Sequence, residues 1–184
     1  MIEVDAQAKR EIVGLAREAI EGYLETGAYH APHQVPHRDI LEAGFGVFVT
    51  LTKGPEKELR GCIGRLESRG PLWRTLMQCA VGAAFEDSRF SPVTRAEYPD
   101  LHVEVSLLSP LTPIYNTNEI TLGTHGVVMM KSGKSAVFLP EVAVMEGWDV
   151  TTLLTRLSQK AGLPGEAWRS GAAFRVFTSE KFGD

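Results

Sequence analysis

The sequence predicts an α+β protein, because helical and strand patterns are mixed without the regular strand–helix–strand repetition of parallel-sheet folds. Two observations support this class. Residues 5–26 repeat apolar side chains at the helical period, and the apolar runs Gly46–Thr52 and Leu59–Gly64 flank a polar turn. We therefore expect mixed or antiparallel sheets covered by helices.

The composition predicts one domain, residues 1–184, in which any second lobe is small. The formal net charge of −4 argues against bulk electrostatic binding of nucleic acid. No apolar run is long enough to cross a membrane, the N-terminus lacks a secretory signal pattern, and the two cysteines are expected to be reduced. These features predict a cytoplasmic location.

Three helices are expected. The first is capped by Asp5 and stopped by Gly27. The second begins at Pro71 and carries a small apolar face that includes Cys79, which we interpret as structural. The third runs from Asp149 to about Ala161.

Strands beyond the first hairpin are predicted from alternation and β-prone composition. The run Leu101–Leu108 alternates well, and Lys131–Lys134 is typical of a hairpin turn. The other predicted strands are Ile120–Leu122, Val127–Lys131, Ala136–Leu139 and Phe174–Thr178. We expect the last of them to return the C-terminus to the main sheet.

Residues 28–45 are predicted to be irregular, because Pro32 and Pro36 interrupt any continuous helix. The segment holds three histidines, His30, His33 and His37. Imidazole binds transition metals, so a metal site is one hypothesis. Solvated loop histidines are the preferred interpretation, since no regular element fixes their geometry.

Cys62 is the first candidate functional residue. Strand alternation places Arg60, Cys62 and Gly64 on one face and Gly61 on the other. Glycines on both sides of a strand cysteine indicate close approach of a backbone or a ligand. We expect Gly64 to leave a gap beside the sulfur and Arg60 to supply a charge that favours the thiolate. The alternative is a small buried hydrophobic residue.

The hexapeptide Leu59–Gly64 resembles the signature of the AMME chromosomal region protein family, called AmmeMemoRadiSam system protein A in prokaryotes. The resemblance extends in order over about residues 44–178. It departs from the family at Ser88, where members commonly carry Pro, and at Glu141, where they often carry Gln. The matching segments are Gly46–Leu51, Pro71-Leu72, Ala83-Ala84, Asp87–Val93, Val103–Ser106, Gly123–Gly126, Leu139-Pro140, Gly147–Asp149 and Lys160–Pro164.

The resemblance implies a larger lobe built from both chain ends and a smaller lobe inserted between them. It also implies association with a Memo-like protein and a radical S-adenosylmethionine enzyme. The iron–sulfur and S-adenosylmethionine chemistry would belong to that partner, because this chain lacks the necessary cysteine cluster. We therefore expect no cofactor on this chain, and a cleft between lobes is the expected place for a site.

Four further residues are candidates. Asp87 and Arg89 either bind a polar substrate or, as we prefer, pair and cap their loop. Glu104 is a general acid or base if its face is enclosed and an ordinary outward carboxylate if the face is wet. Within Gly123–Gly126, a tight turn either presents His125 into a cleft or lets it bond the turn backbone.

The leading hypothesis is a small-molecule or modification enzyme that uses Cys62 as nucleophile. In it Arg60 binds an anionic group or the thiolate, His125 is the base, and Glu104 orients that base. Backbone N–H groups near Gly61 or Gly64 would stabilise an oxyanion. The sequence names neither the substrate nor the reaction.

Two other functions are weighed against it. One is a non-catalytic binding or scaffold subunit of the implied system. The other is RNA binding or modification, suggested by four arginines near the signature and opposed by the acidic net charge and the lack of an RNA-reading aromatic pattern. The four are Arg60, Arg65, Arg69 and Arg74.

Overall fold

The computed structural model describes residues 4–35 and 38–184, except for the side chain of Arg38. The helices are α1 (Ala6–Thr26), α2 (Arg38–Leu41), α3 (Leu72–Phe85), α4 (Pro140–Met145) and α5 (Val150–Lys160), with 3₁₀ turns at Tyr98–Asp100, Thr117–Glu119 and Gly165–Arg169. The strands are β1 (Gly46–Lys53), β2 (Glu58–Arg65), β3 (Leu101–Leu108), β4 (Thr112–Ile114), β5 (Gly126–Lys131), β6 (Lys134–Phe138), β7 (Ala173–Phe177) and β8 (Ser179–Gly183).

The chain divides into two compact units. The larger contains residues 4–35 and 38–108 together with Glu180–Asp184, and the smaller contains Ser109–Ser179. Helices are mixed with antiparallel sheets, so the predicted α+β class is confirmed.

The larger unit is built on a four-stranded sheet in the order β2-β1-β3-β8, in which β1 is antiparallel to both β2 and β3. Helices α1 and α3 pack on one face of this sheet and on each other. Val47, Val49 and Leu51 point to that face and are fully buried, while the residues that alternate with them, Phe48, Thr50 and Thr52, are half-buried. The period-2 alternation of β1 therefore defines a helix-covered face and an opposite face that carries the polar residues.

The smaller unit has its own sheet in the order β4-β7-β5-β6. Its core is formed by β5 and β7 with the apolar stripe of α5, including Leu153, Leu154 and Leu157. The turn between β5 and β6 places Ser132 and Gly133 at positive φ, as the predicted two-residue hairpin requires.

The N-terminal helix and the first hairpin form as predicted. The Asp5 carboxylate accepts a hydrogen bond from the Ala8 N–H, and Gly27 closes α1 in the left-handed conformation, φ 71°. The carboxylate satisfies a free N–H at the helix start, and glycine adopts the left-handed region without the steric cost of a Cβ.

Two predictions about the smaller unit are wrong, and two of its elements were not predicted. Ile120–Leu122 is not a strand, because a capped 3₁₀ turn precedes it and a turn follows, although Ile120 is buried. The predicted strand Phe174–Thr178 forms as β7 but lies in the smaller sheet, and the unpredicted β8 returns the chain to the larger one. Strand β4 and helix α4 were also unexpected, since each is short and contains a proline.

No helix in the described part of the chain is both long enough and apolar enough to cross a membrane.

Candidate functional site

Cys62 is a free thiol on β2, an edge strand of the larger sheet. Its neighbour across the β1–β2 ladder is Thr50, whose hydroxyl donates a hydrogen bond to the sulfur at 3.3 Å. The residue is half-buried, so it is not the sealed core cysteine of the alternative interpretation. The sulfur therefore accepts a hydrogen bond from a neighbouring strand.

Gly61 lies on the face toward α3. A Cβ at this position would overlap with the backbone carbonyl oxygen of Ala83. The close approach that the glycines predicted is therefore, at Gly61, the approach of a helix backbone and not of a ligand.

Gly64 makes room for an aromatic ring. It pairs with Phe48 on β1, and a Cβ there would overlap with the Phe48 ring. The expected gap beside the sulfur is thus filled by this ring, which corrects the prediction. Aromatic residues cover glycines on neighbouring strands in this way because the missing side chain leaves apolar surface to bury.

Arg60, predicted to supply a charge beside Cys62, is paired with Glu97. The β1–β2 register shifts between Leu51 and Thr52, which leaves Arg60 as the extra residue of a β-bulge. Its guanidinium donates to Glu97 Oε1 at 2.7 Å and to the Ser91 carbonyl at 2.8 Å. This pairing lowers the pKa of the Glu97 carboxyl and commits Arg60 to fixing the loop beside the sheet edge.

Asp87 and Arg89 form the pair that the sequence favoured, with an added contact to the signature. Asp87, 8% exposed, accepts the Cys62 N–H at 2.9 Å and two guanidinium hydrogen bonds from Arg89 at 2.9 and 2.6 Å. The Arg89 hydrogen bonds hold the pKa of the Asp87 carboxyl far below its usual value. Asp87 therefore satisfies the outer edge of β2 at Cys62 and anchors a cation there.

Arg89 is linked to the Cys62 position through Asp87, which accepts hydrogen bonds from both the Arg89 guanidinium and the Cys62 N–H. Its pKa is raised chiefly by the hydrogen bonds to Asp87 and further by the charge of Cys62. Its side chain is 55% exposed, although Asp87 beneath it is buried. The Phe90 ring lies 5.3 Å from the Arg89 guanidinium and 5.8 Å from that of Arg60, within cation–π range of both.

Glu104 lies across β1 from the thiol, since Thr50 pairs with both Cys62 and Glu104. Its carboxylate is 30% exposed and forms an ion pair with Lys181 at 2.6 Å. Glu104 therefore matches the expectation of an ordinary solvent-facing carboxylate better than that of an enclosed general acid.

His125 belongs to the smaller unit. The turn before it has Gly123 at φ 79°, and the His125 Nδ1 accepts the Thr121 N–H at 3.2 Å. A backbone N–H can only donate, so the neutral ring carries its proton on Nε2. His125 lines a cavity of about 300 Å³ with Glu119 and Ser109. It is thus oriented as a hydrogen-bond donor there, whereas the sequence hypothesis used it as a base.

The histidine segment offers separate contacts. His33 Nδ1 lies 2.7 Å from Glu18, and His30 Nε2 lies 2.7 Å from the Thr26 hydroxyl. His37, the third member of the metal hypothesis, lies outside the described residues. Within residues 4–35 and 38–184 the structure shows no cluster of three metal-ligating side chains.

Sequence reasoning missed Thr50, Phe48 and Glu97. The first two could have been predicted from the hairpin register, because Thr50 pairs with Cys62 and Phe48 pairs with Gly64. The bulge at Arg60 concealed that register. Glu97 is 37 residues from Arg60, and no local pattern indicates such a contact.

Comparison with known proteins places the chain clearly. The AMMECR1 family model matches residues 13–182. Protein MK0488 of Methanopyrus kandleri is 39% identical over 179 residues, covering 93% of this chain and 86% of the relative. A protein of Thermococcus gammatolerans is 39% identical over 165 residues, with coverages of 85% and 80%.

A solved structure shares the fold. Protein PH0010 of Pyrococcus horikoshii superposes with a TM-score of 0.89 at 35% identity, over 100% of this chain and 94% of that one. The names of these relatives assign no activity.

Proposed function

This chain belongs to the AMMECR1 family, and from the surroundings of Cys62 we propose that it is a cysteine-dependent enzyme that modifies a small molecule or another acceptor. The single observation that supports this most is the half-buried thiol with a hydroxyl donor at 3.3 Å, next to an arginine that Asp87 holds at the same point of the strand. Both groups favour the thiolate, which is the reactive form of cysteine.

Each neighbouring group has a distinct part in the proposal. The Thr50 hydroxyl and the Arg89 guanidinium stabilise negative charge on the sulfur. The exposed part of Arg89 also faces solvent, where it would bind an anionic group of the substrate. Asp87 fixes both Arg89 and the Cys62 backbone, so it is a positioning residue.

The backbone of β2 offers one oxyanion donor. Gly61 faces β1 in the ladder, and the Cys62 N–H is occupied by Asp87. In an edge strand alternate N–H groups point outward, so the Gly64 N–H points to the same side as that of Cys62. Of the two glycines predicted for this role, Gly64 is therefore the one we retain.

A binding or scaffold subunit is the second candidate, and the pairing of charges favours it. Arg60 is held by Glu97, Asp87 by Arg89, and Glu104 by Lys181. Charged side chains that are already in ion pairs are typical of a rigid binding surface. Each pair would have to separate before its carboxylate could accept a proton from a substrate. The partners would be the Memo-like protein and the radical S-adenosylmethionine enzyme that the family resemblance implies.

Complementation of a strain that lacks its own copy separates the two candidates. The wild type, Cys62→Ser and Cys62→Ala are compared for restored metabolite profile, and each protein is also tested for melting temperature and partner copurification. The proposal expects both variants to fail while folding normally. Full complementation by Cys62→Ala, with the partners retained, would reject catalysis by the thiol and establish the binding module.

A further inference from the structure

Three of the four arginines near the signature line one cavity on the larger unit. Arg65, Arg69 and Arg74 surround a space of about 600 Å³. Arg60 is not among the lining residues, since the bulge directs it to Glu97. The remaining side chains of the lining include Glu67, Thr75 and Gln78.

The arginines converge because three consecutive pieces of chain meet here. Arg65 is the last residue of β2, Arg69 lies in the loop that follows, and Arg74 lies in the first turn of α3. Strand alternation places Arg65 on the face opposite Cys62, toward α3. The cavity is therefore distinct from the Cys62 site.

Basic side chains outnumber acidic ones in the lining of this cavity. Arg65, Arg69 and Arg74 are all exposed. Arg74 stacks at 5.3 Å from the Trp73 ring, which restricts its guanidinium. The lining holds three arginines and one acidic residue, Glu67, so it is positive by about two charges.

We propose that this cavity binds a diphosphate or similarly multiply charged phosphate group of a small molecule. Guanidinium groups bind phosphate oxygens in pairs, and three of them match a group with several oxygens and at least two charges. A monoanion would neutralise less of the local charge, with Glu67 opposing it. The volume lies within the range of small-molecule sites.

Nucleic acid fits the same surface less well. Single-stranded RNA sites combine a basic groove with aromatic side chains that stack on bases, and the described lining contains no aromatic residue. The chain as a whole is acidic, with net charge −4. The lining therefore favours a small polyanion over RNA.

The test is calorimetric titration of the full chain with inorganic pyrophosphate at low ionic strength. The site variant is Arg65→Gln/Arg69→Gln/Arg74→Gln. The matched control, Arg10→Gln/Lys57→Gln/Arg156→Gln, also removes three positive charges from exposed positions and leaves the cavity intact. We expect one site per chain in the wild type and control and at least tenfold weaker binding in the site variant.

Three results would overturn the proposal. One is no saturable pyrophosphate binding by the wild type at millimolar concentration. Another is equal weakening in the two triple variants, which would indicate bulk charge alone. The third is at least tenfold tighter binding of a short single-stranded RNA than of pyrophosphate with the same arginine dependence, which would assign the surface to nucleic acid. Melting temperatures of both triple variants verify that each is folded.

Discussion

Cys62 and His125 look alike in the sequence, since each is a reactive side chain with glycines close on both sides, yet the structure uses those glycines differently. Around Cys62 the glycines lie in an extended edge strand, where one admits a helix backbone and the other an aromatic ring. Before His125, Gly123 has φ 79° and shapes a turn, while Gly126 starts β5 beneath the Phe177 ring.

Closely spaced glycines thus indicate a position without room for a side chain or with an unusual backbone conformation, but they do not indicate which of the two applies. Near Cys62 the cause is packing on both faces of the sheet. Gly61 contacts the backbone of α3 on one face, and Gly64 contacts the Phe48 ring on the other. Near His125 the cause is a change of chain direction, and the imidazole bonds the turn that presents it. The Cys62 sulfur is therefore contacted by a side chain of the neighbouring strand, Thr50. The His125 ring is instead bonded to a backbone N–H of its own turn, that of Thr121.

The largest expected effect comes from Gly61→Ala. The new Cβ would overlap with a backbone oxygen of α3, which cannot move without shifting the helix. We expect a loss of about 3 kcal/mol or more in the free energy of unfolding, measured in urea. Gly14→Ala is the control, since nothing lies within 4 Å of its Cβ and alanine favours helices. A loss below about 1 kcal/mol at Gly61 would contradict the account.

Asp87→Asn tests the contact that holds Cys62 from the side. We expect a loss of about 2 kcal/mol at pH 7, because a charged acceptor of several hydrogen bonds is removed. The pKa of Asp87 is depressed in the folded state, so its contribution is present above about pH 4 and is lost as pH falls further. The difference between wild type and variant should shrink from pH 7 to pH 3.

Asp100→Asn serves as the matched control for that experiment, since Asp100 is exposed. It should change the unfolding free energy by less than about 0.5 kcal/mol at either pH. A wild-type advantage over Asp87→Asn that is as large at pH 3 as at pH 7 would show that the carboxylate charge is not the cause.

On the His125 side, Gly123→Ala should cost about 1–2 kcal/mol, because alanine must adopt a left-handed backbone and meet the Val144 side chain at 3.1 Å. Gly171→Ala isolates the backbone part, since φ is 65° there and nothing lies within 4 Å of the Cβ. In urea unfolding, the loss of unfolding free energy should be at least as large for Gly123→Ala as for Gly171→Ala. No loss for either variant would remove backbone conformation as the explanation of the turn.

The smallest effect is expected for His125→Ala, about 0.5–1 kcal/mol, because it removes one hydrogen bond from a turn that glycine already shapes. Nitrogen NMR of the wild-type imidazole is the sharper readout. We expect the neutral ring to carry its proton on Nε2. A proton on Nδ1 would show that the Thr121 N–H is not its partner and would return His125 to the role of a base.

The sequence predicted those features that depend on local chemistry. The cap of α1, the first hairpin and the α5 helix follow from short patterns of polar and apolar residues. The strand β8 was missed because Glu180 and Lys181 interrupt its apolar pattern at the chain end. Contacts such as Arg60 with Glu97 depend on tertiary approach, which neither periodicity nor spacing encodes.

The cation beside the thiol shows the same limit. Arg60 is two residues from Cys62 and was the natural choice, yet a one-residue bulge gives it another partner. Arg89 reaches the site because Asp87 fastens the loop to the edge of β2. The partner of Arg60 could therefore not be predicted before the strand register was known.

The most direct test of the central claim is the alkylation of both cysteines in the native protein by iodoacetamide at pH 7.5, quantified by peptide mass spectrometry. Cys79 is an internal control, because burial raises its pKa to about 11. We expect Cys62 to react at least 100-fold faster than Cys79, and several-fold more slowly in Thr50→Val and Arg89→Gln. Equal rates for the two thiols, or a Cys62 rate unchanged in both variants, would contradict the account.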